Sequence, residues 1–232
     1  MDTFIITCEH GGNRIPAPYR QLFRGQRALL DSHRGYDPGS LVMSKALASA
    51  FAAPLVASTV SRLLIDLNRS IGHPQLFSAV TRAAPARTRA QIFEQHYRPY
   101  RMQVERLIGR AVARGHRVIH ISSHSFTAEL DGRVRGADVA LLYHPGRRRE
   151  AEVCGRRKET LAALAPELRV RRNYPYAGKG DGLTSHLRVR FAQCDYVGIE
   201  LEVNQGIVFA AGRRWMALRR MLIDSLRTGC AA

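Results

Sequence analysis

Two imidazoles and several carboxylates stand where short apolar runs break into polar, irregular sequence. That set suits metal-assisted hydrolysis. Arg117-Val118-Ile119-His120-Ile121-Ser122-Ser123 delivers His124. Thr3 to Cys8 runs into Glu9-His10-Gly11-Gly12-Asn13, Leu63-Leu64-Ile65 into Asp66-Leu67-Asn68-Arg69, and Tyr196 to Ile199 into Glu200-Leu201-Glu202. Open α/β sheets keep their chemistry at such strand ends. His120 and His124 are separated by an even offset and so share a strand face. His120 lies deeper and reads as a hydrogen-bonded core residue, while His124 lies at the exit and reads as a ligand. A three-ligand zinc site that keeps a water position open needs a carboxylate beside two histidines. Asp37, Asp66, Glu9 and Glu202 all qualify by position. Asp37 could instead cap a helix, and Asp66 could lock a turn beside Arg69. Glu200 and Glu202 also share a strand face. Two acids there are costly unless paired or close to a metal, and one of them could serve as a general base. Salt bridges to arginines are the plainer alternative.

The elements that must position these groups alternate along the chain. After the first strand, Asp37-Pro38-Gly39 precedes a helix over 40–51, where Leu41, Ala46, Leu47 and Phe51 recur at helical spacing. Pro54 to Ser58 reads as a second strand and Leu63 to Asp66 as a third. The longest helical pattern spans 86–114, and Pro99 should kink it or begin a new helix. Beyond the strand ending at His124 come a strand over 137–143, a basic helix near 148–165 and a strand near 168–171. A Gly/Tyr/Pro/Asn-rich loop over 172–184, a short helix, the strand ending at Glu200 and an amphipathic helix over 208–227 follow. This alternation predicts a three-layer α/β fold, with a mainly parallel or mixed central sheet covered by helices on both faces.

Composition bounds the rest. The 232 residues read as one domain over 1–232, with hydrophobic content of 45%. No apolar run approaches the ~20 residues of a membrane span. Cys8, Cys154, Cys194 and Cys230 are scattered, with no C-x-x-C spacing. A cytoplasmic protein without disulfides is therefore expected. The net charge of +17 raises the question of a nucleic-acid partner. The cations are 33 arginines against three lysines, however, and they are spread along the chain. Coding bias accounts for that skew, so no nucleic-acid partner is expected. Of the remaining histidines, His33, His73, His96, His116 and His144 read as surface or cap positions. His186, in Thr184-Ser185-His186, is the one most open to a role in a site.

Taken in order, several segments resemble the N-formylglutamate amidohydrolase family. They are Cys8-Glu9-His10-Gly11-Gly12-Asn13-Arg14-Ile15-Pro16, Tyr36-Asp37-Pro38-Gly39, Ser61-Arg62 with Asp66-Leu67-Asn68-Arg69, His124-Ser125-Phe126-Thr127, Asn173-Tyr174-Pro175-Tyr176 with Asp181-Gly182, and Gly198 to Gln205. Ala128 replaces a proline common after Ser-Phe-Thr in the family. The resemblance implies a phosphorylase/hydrolase-like fold related to zinc carboxypeptidases and zinc amidases. It further implies Zn2+ on His10, Asp37 and His124, with Asp37 in place of the more usual Glu, and Glu200 as the catalytic acid–base. Asn68 and Arg69 would hold a substrate carboxylate, with Arg188 as a substitute. The implied substrate is a small N-formyl or other N-acyl amino acid such as N-formylglutamate. Two alternatives remain: the same fold acting on a peptide or pathway-specific amide, and a noncatalytic basic binding protein.

Overall fold

A computed structural model of the chain describes residues 1–210 and 212–227, so that Cys230 lies outside the described residues. In chain order the strands are β1 (Asp2–Cys8), β2 (Leu55–Ala57), β3 (Arg117–Phe126), β4 (Glu129–Leu130), β5 (Arg133–Val134), β6 (Val139–Leu142), β7 (Val170–Arg172) and β8 (Tyr196–Asn204). The helices are α1 (Arg27–Asp31), α2 (Ser40–Ala50), α3 (Ala79–Arg82), α4 (Ala86–Ile92), α5 (Arg98–Ala113), α6 (Arg148–Leu164), α7 (Leu183–Arg190), α8 (Gln205–Phe209) and α9 (Gly212–Arg227). Six strands form one mixed sheet in the order β2-β1-β3-β8-β6-β7, and β4 and β5 make a separate two-stranded ribbon. All pairings in the large sheet are parallel except β6 with β8. The α/β architecture expected from the sequence is the one observed.

Strand alternation divides the core between the two faces. Ile119, Ile121, Val197, Ile199, Leu201 and Val203 face a cluster built with Met43 and Leu47 of α2, Leu161 of α6 and Leu218 of α9. Val118 and Tyr196 face the opposite cluster with Val104 and Ile108 of α5 and Leu187 of α7. The even positions His120, Ser122 and His124 of β3, and Glu200 and Glu202 of β8, therefore point to the α5–α7 side. There the parallel pairing sets Ser122 level with Glu200 and His124 level with Glu202.

Three local expectations change. Leu63 to Asp66 is not a strand but a turn-rich segment, because its backbone bonds locally and to loops. Leu64 N donates to Ser61 O, Asp66 N to Leu76 O, and the Thr81 hydroxyl to Leu63 O. The long helical stretch over 86–113 carries a π-helical turn at Phe93–Tyr97 just before Pro99, which lies in the first turn of α5. A wider turn there accommodates a residue with no N–H to give. The helix expected over 208–227 is divided into α8 and α9.

Candidate active site

The C-terminal ends of β1, β3 and β8 meet in a cavity of about 360 Å³. At β1 and β3 the chain leaves toward opposite sides of the sheet, the position where open α/β sheets form a crevice. Past β1, Gly11 and Gly12 press against the next loop. A Cβ on either would come within 2.9 Å of the Ser58 or Thr59 carbonyl oxygen. The glycine pair thus fixes the turn that carries His10.

His10, Asp37 and His124 converge and are buried, with one donor atom from each lying within 4.8 Å of the other two. Asp37 Oδ2 is 3.3 Å from His10 Nδ1 and 2.8 Å from His124 Nδ1. Asp37 does not cap α2: Gly39, at φ +84°, is the cap residue, and no side chain supplies a cap hydrogen bond. Its carboxylate is thereby free for the cluster.

The far imidazole nitrogens are held by a second layer of acids. His10 Nε2 lies 2.7 Å from Asp66 Oδ1, and His124 Nε2 lies 3.0 Å from Glu9 Oε2. Glu9 is further fixed by the Ser122 and Tyr100 hydroxyls, at 2.6 and 2.8 Å. Carboxylates behind histidines in this way fix the ring orientation and raise ligand basicity. Arg62, not singled out as a site residue by sequence reasoning, ties the layers together. Its Nη1 donates to Asp37 Oδ1 at 3.2 Å and its Nη2 to Asp66 Oδ2 at 2.9 Å.

Electrostatics favour a positive charge at the centre. Burial alone would push both imidazoles down, and for His10 the Arg62 guanidinium acts the same way. The surrounding carboxylates nonetheless hold both imidazoles up. Burial would likewise raise Asp37, Asp66 and Glu9, but their cationic and hydrogen-bonding partners hold all three below the usual carboxylate range. A set of two imidazoles and one carboxylate, with outer nitrogens anchored, fits a divalent ion with an open coordination position.

The remaining expected site residues separate. Glu200 lines the cavity, and its Oε1 accepts the Thr184 hydroxyl at 2.7 Å. Glu202 also lines it, but is buried with Oε2 unpartnered, and burial pushes its carboxyl up to about 7, aided by Asp37 and Glu200. Asn68 Oδ1 accepts Leu183 N–H at 2.7 Å. Its side-chain nitrogen faces His124 Nε2 at 3.5 Å. Arg69 lines the cavity, and its nearest anchor is the Asp181 carbonyl at 3.5 Å.

Arg188 is a correction. It does not line the cavity. Its guanidinium is consumed by buried Glu150 at 3.0 Å and by the Gly178 and Gly198 carbonyls. His120 is buried between the Thr7 hydroxyl and Tyr196 Oη, at 2.9 and 2.7 Å, as a core histidine. His186 pairs with Glu105 at 2.7 Å, away from the cavity lining. Cys8 is no nucleophile, since burial pushes its thiol up to about 12. From the expected Gly/Tyr/Pro/Asn-rich loop, Tyr176, Ala177, Gly180 and Asp181 form one wall.

A family model described as N-formylglutamate amidohydrolase matches residues 2–207. Among solved structures, the gene product Atu2144 of Agrobacterium tumefaciens is similar, with a TM-score of 0.80 at 27% identity, covering 97% of this chain and 90% of that one. The N-formylglutamate amidohydrolase of Ralstonia eutropha JMP134 shares the fold, with a TM-score of 0.69 at 19% identity and coverage of 97% and 92%. A search of curated proteins finds no match to this chain. No helix among the described residues is long and apolar enough to cross a membrane.

Proposed function

The chain belongs to the N-formylglutamate amidohydrolase family, whose members hydrolyse amide C–N bonds, and from that premise we propose that it is a zinc enzyme that deacylates a small N-formyl or other N-acyl amino acid. One observation carries the proposal: His10 Nδ1, Asp37 Oδ2 and His124 Nδ1 converge at a cavity whose wall holds a buried carboxylate with a free oxygen. His10, Asp37 and His124 would hold the ion. When bound, zinc lowers the pKa of its water to about 7 and polarises a carbonyl. A cavity of about 360 Å³ falls at the small-molecule end of binding sites, which favours an amino-acid derivative over a peptide.

The chain's own residues account for the remaining steps. Arg69, with no carboxylate in salt-bridge contact among the described residues, would bind the substrate carboxylate through its planar fork. Asn68, anchored to the first turn of α7, would hold that loop in place. Two acids compete for the proton-transfer role. The family resemblance points to Glu200. The orphaned Oε2 of Glu202 supports Glu202 instead, because that oxygen is free to take a proton from the attacking water and pass it to the leaving nitrogen. Glu200 already accepts a hydroxyl, and it sits two register pairs deeper in the sheet, level with Ser122.

Elemental analysis paired with hydrolysis assays on N-formyl and N-acetyl amino acids tests the proposal. One zinc per chain and release of the free amino acid are expected. Glu202→Gln should keep the metal while kcat falls by about 10²–10⁴, and Glu200→Gln should fall less. The reverse order returns the base role to Glu200. Metal-free protein with full activity would refute the zinc assignment.

A further inference from the structure

The geometry points to a substrate with one carboxylate, an N-acyl amino acid whose side chain is uncharged. This inference rests on the proposed deacylation and narrows it away from the dicarboxylate that gives the family its name. Recognising two carboxylates in a cavity partly closed to water requires two cationic groups free to meet them, because a buried charge left unpaired is costly. The lining offers two guanidiniums, Arg62 and Arg69. Arg62 is neutralised in place, with Nη1 on Asp37 and both Nε and Nη2 on Asp66. Arg69 alone, among the described lining residues, carries a guanidinium with no carboxylate in salt-bridge contact, although Asp181 and Asp66 feel its charge.

The other nearby cations are no substitute. Arg135 does not line the cavity; its Nη1 donates to Tyr176 Oη at 2.9 Å and its guanidinium lies over the Tyr176 ring at 5.0 Å. Lys179 belongs to the same loop but does not line the cavity. Arg188 is held by Glu150.

Around Arg69 the lining is acidic. Asp181 and Glu200 face the cavity together with Glu202. Asp181 is fixed by the Ser70 amide at 3.1 Å and Glu200 by Thr184. With the substrate's first carboxylate on Arg69 and its acyl end at the histidine cluster, a second carboxylate would enter among these acids. An uncharged side chain in the same place gives these acids no like charge to repel, and Tyr176 and Ala177 complete the lining beside it.

The test uses the metal-loaded full chain and an isosteric pair, N-formylglutamate and N-formylglutamine, which differ in a single side-chain charge. The expected kcat/KM is at least about tenfold higher for N-formylglutamine, the factor that ~1.4 kcal/mol of like-charge repulsion produces. Asp181→Asn retains an acceptor for the Ser70 amide while removing one charge, and should narrow that ratio at least about threefold. Equal or better turnover of N-formylglutamate overturns this inference and leaves the deacylase proposal standing. No turnover of any N-acyl amino acid overturns the deacylase proposal, and this inference with it.

Discussion

Replacing Arg188 with Met separates a structural from a substrate-binding arginine. In the structure its Nε contacts Glu150 at 3.0 and 3.1 Å, while Nη1 and Nη2 donate to the Gly178 and Gly198 carbonyls at 2.7 and 3.0 Å. The two side chains are 6% and 1% exposed, so the substitution takes the nearest cation from a carboxylate beyond the reach of water. Breaking such a buried pair typically costs about 3–5 kcal/mol. Glu150 keeps two backbone donors, His144 N at 2.8 Å and Gly198 N at 3.2 Å, and the Arg147 guanidinium at 3.9 Å, which places the expected loss near the lower end, about 3 kcal/mol. With a urea m-value of about 2–3 kcal/mol/M, the unfolding midpoint should fall by roughly 1–1.5 M. Combining Arg188→Met with Glu150→Gln removes the buried carboxylate's charge. The double variant should therefore be more stable than the sum of the two single losses by at least about 1 kcal/mol. Under native conditions KM for a carboxylate-bearing substrate should stay within about twofold of wild type. An unchanged midpoint with a tenfold higher KM would refute the structural assignment and return Arg188 to substrate binding.

Asp66→Asn and Glu9→Gln should each weaken zinc affinity by about 10–100-fold without abolishing it, whereas Asp37→Ala should abolish stoichiometric binding; competition against a chelating dye measures all three. Stripping of the metal by Asp66→Asn alone would reverse the roles of the two aspartates. His120 is held neutral by burial, which lowers its pKa to about 4, while the unfolded chain titrates near 6.5. Between these values only the unfolded state takes up the proton, so the His120 contribution is nil above pH 6.5 and destabilises increasingly as pH falls toward 4. By pH 4.5 it should amount to about 2.5 kcal/mol. Urea midpoints of wild type and His120→Gln at pH 7, 5.5 and 4.5 should show a steeper acid loss in wild type, and parallel slopes would exclude His120 as the source.

Strand periodicity makes one aspect of the site legible: which side chains share a face. The even spacing of His120 and His124, and of Glu200 and Glu202, places all four on the α5–α7 side. Depth is less legible. Burial and hydroxyl partners at His120 come from Thr7 and Tyr196, each distant in sequence. Asp37 and Asp66 look equivalent along the chain, and only the fold turns Asp37 toward both Nδ1 atoms and sets Asp66 behind His10. Arg188 is misread from sequence because its partner, Glu150, comes from α6, and no local pattern in α7 announces a buried carboxylate. Leu63 to Ile65 are apolar enough to suggest a strand. Their burial serves the α5–α7 side of the core, and their backbone is satisfied by turns.

The arrangement also explains why so much charge is tolerated in one small volume. Asp37, Asp66 and Glu9 are all buried, and the one guanidinium woven among them, Arg62, reaches only the two aspartates. Glu9 has neutral hydroxyls and His124 as its partners. The centre therefore carries more negative than fixed positive charge, an arrangement that costs folding free energy unless a cation offsets it. A cation between the Nδ1 atoms would be surrounded by acids without touching most of them. Asp37 would contact it, while Asp66 and Glu9 would act through the imidazoles they orient. Removing a single outer acid should then loosen the ligand rings and lower the local negative potential together. The same layering leaves Glu202 Oε2 apart: level with His124 and without a hydrogen-bond partner, it is not among the contacts that hold the ligand set.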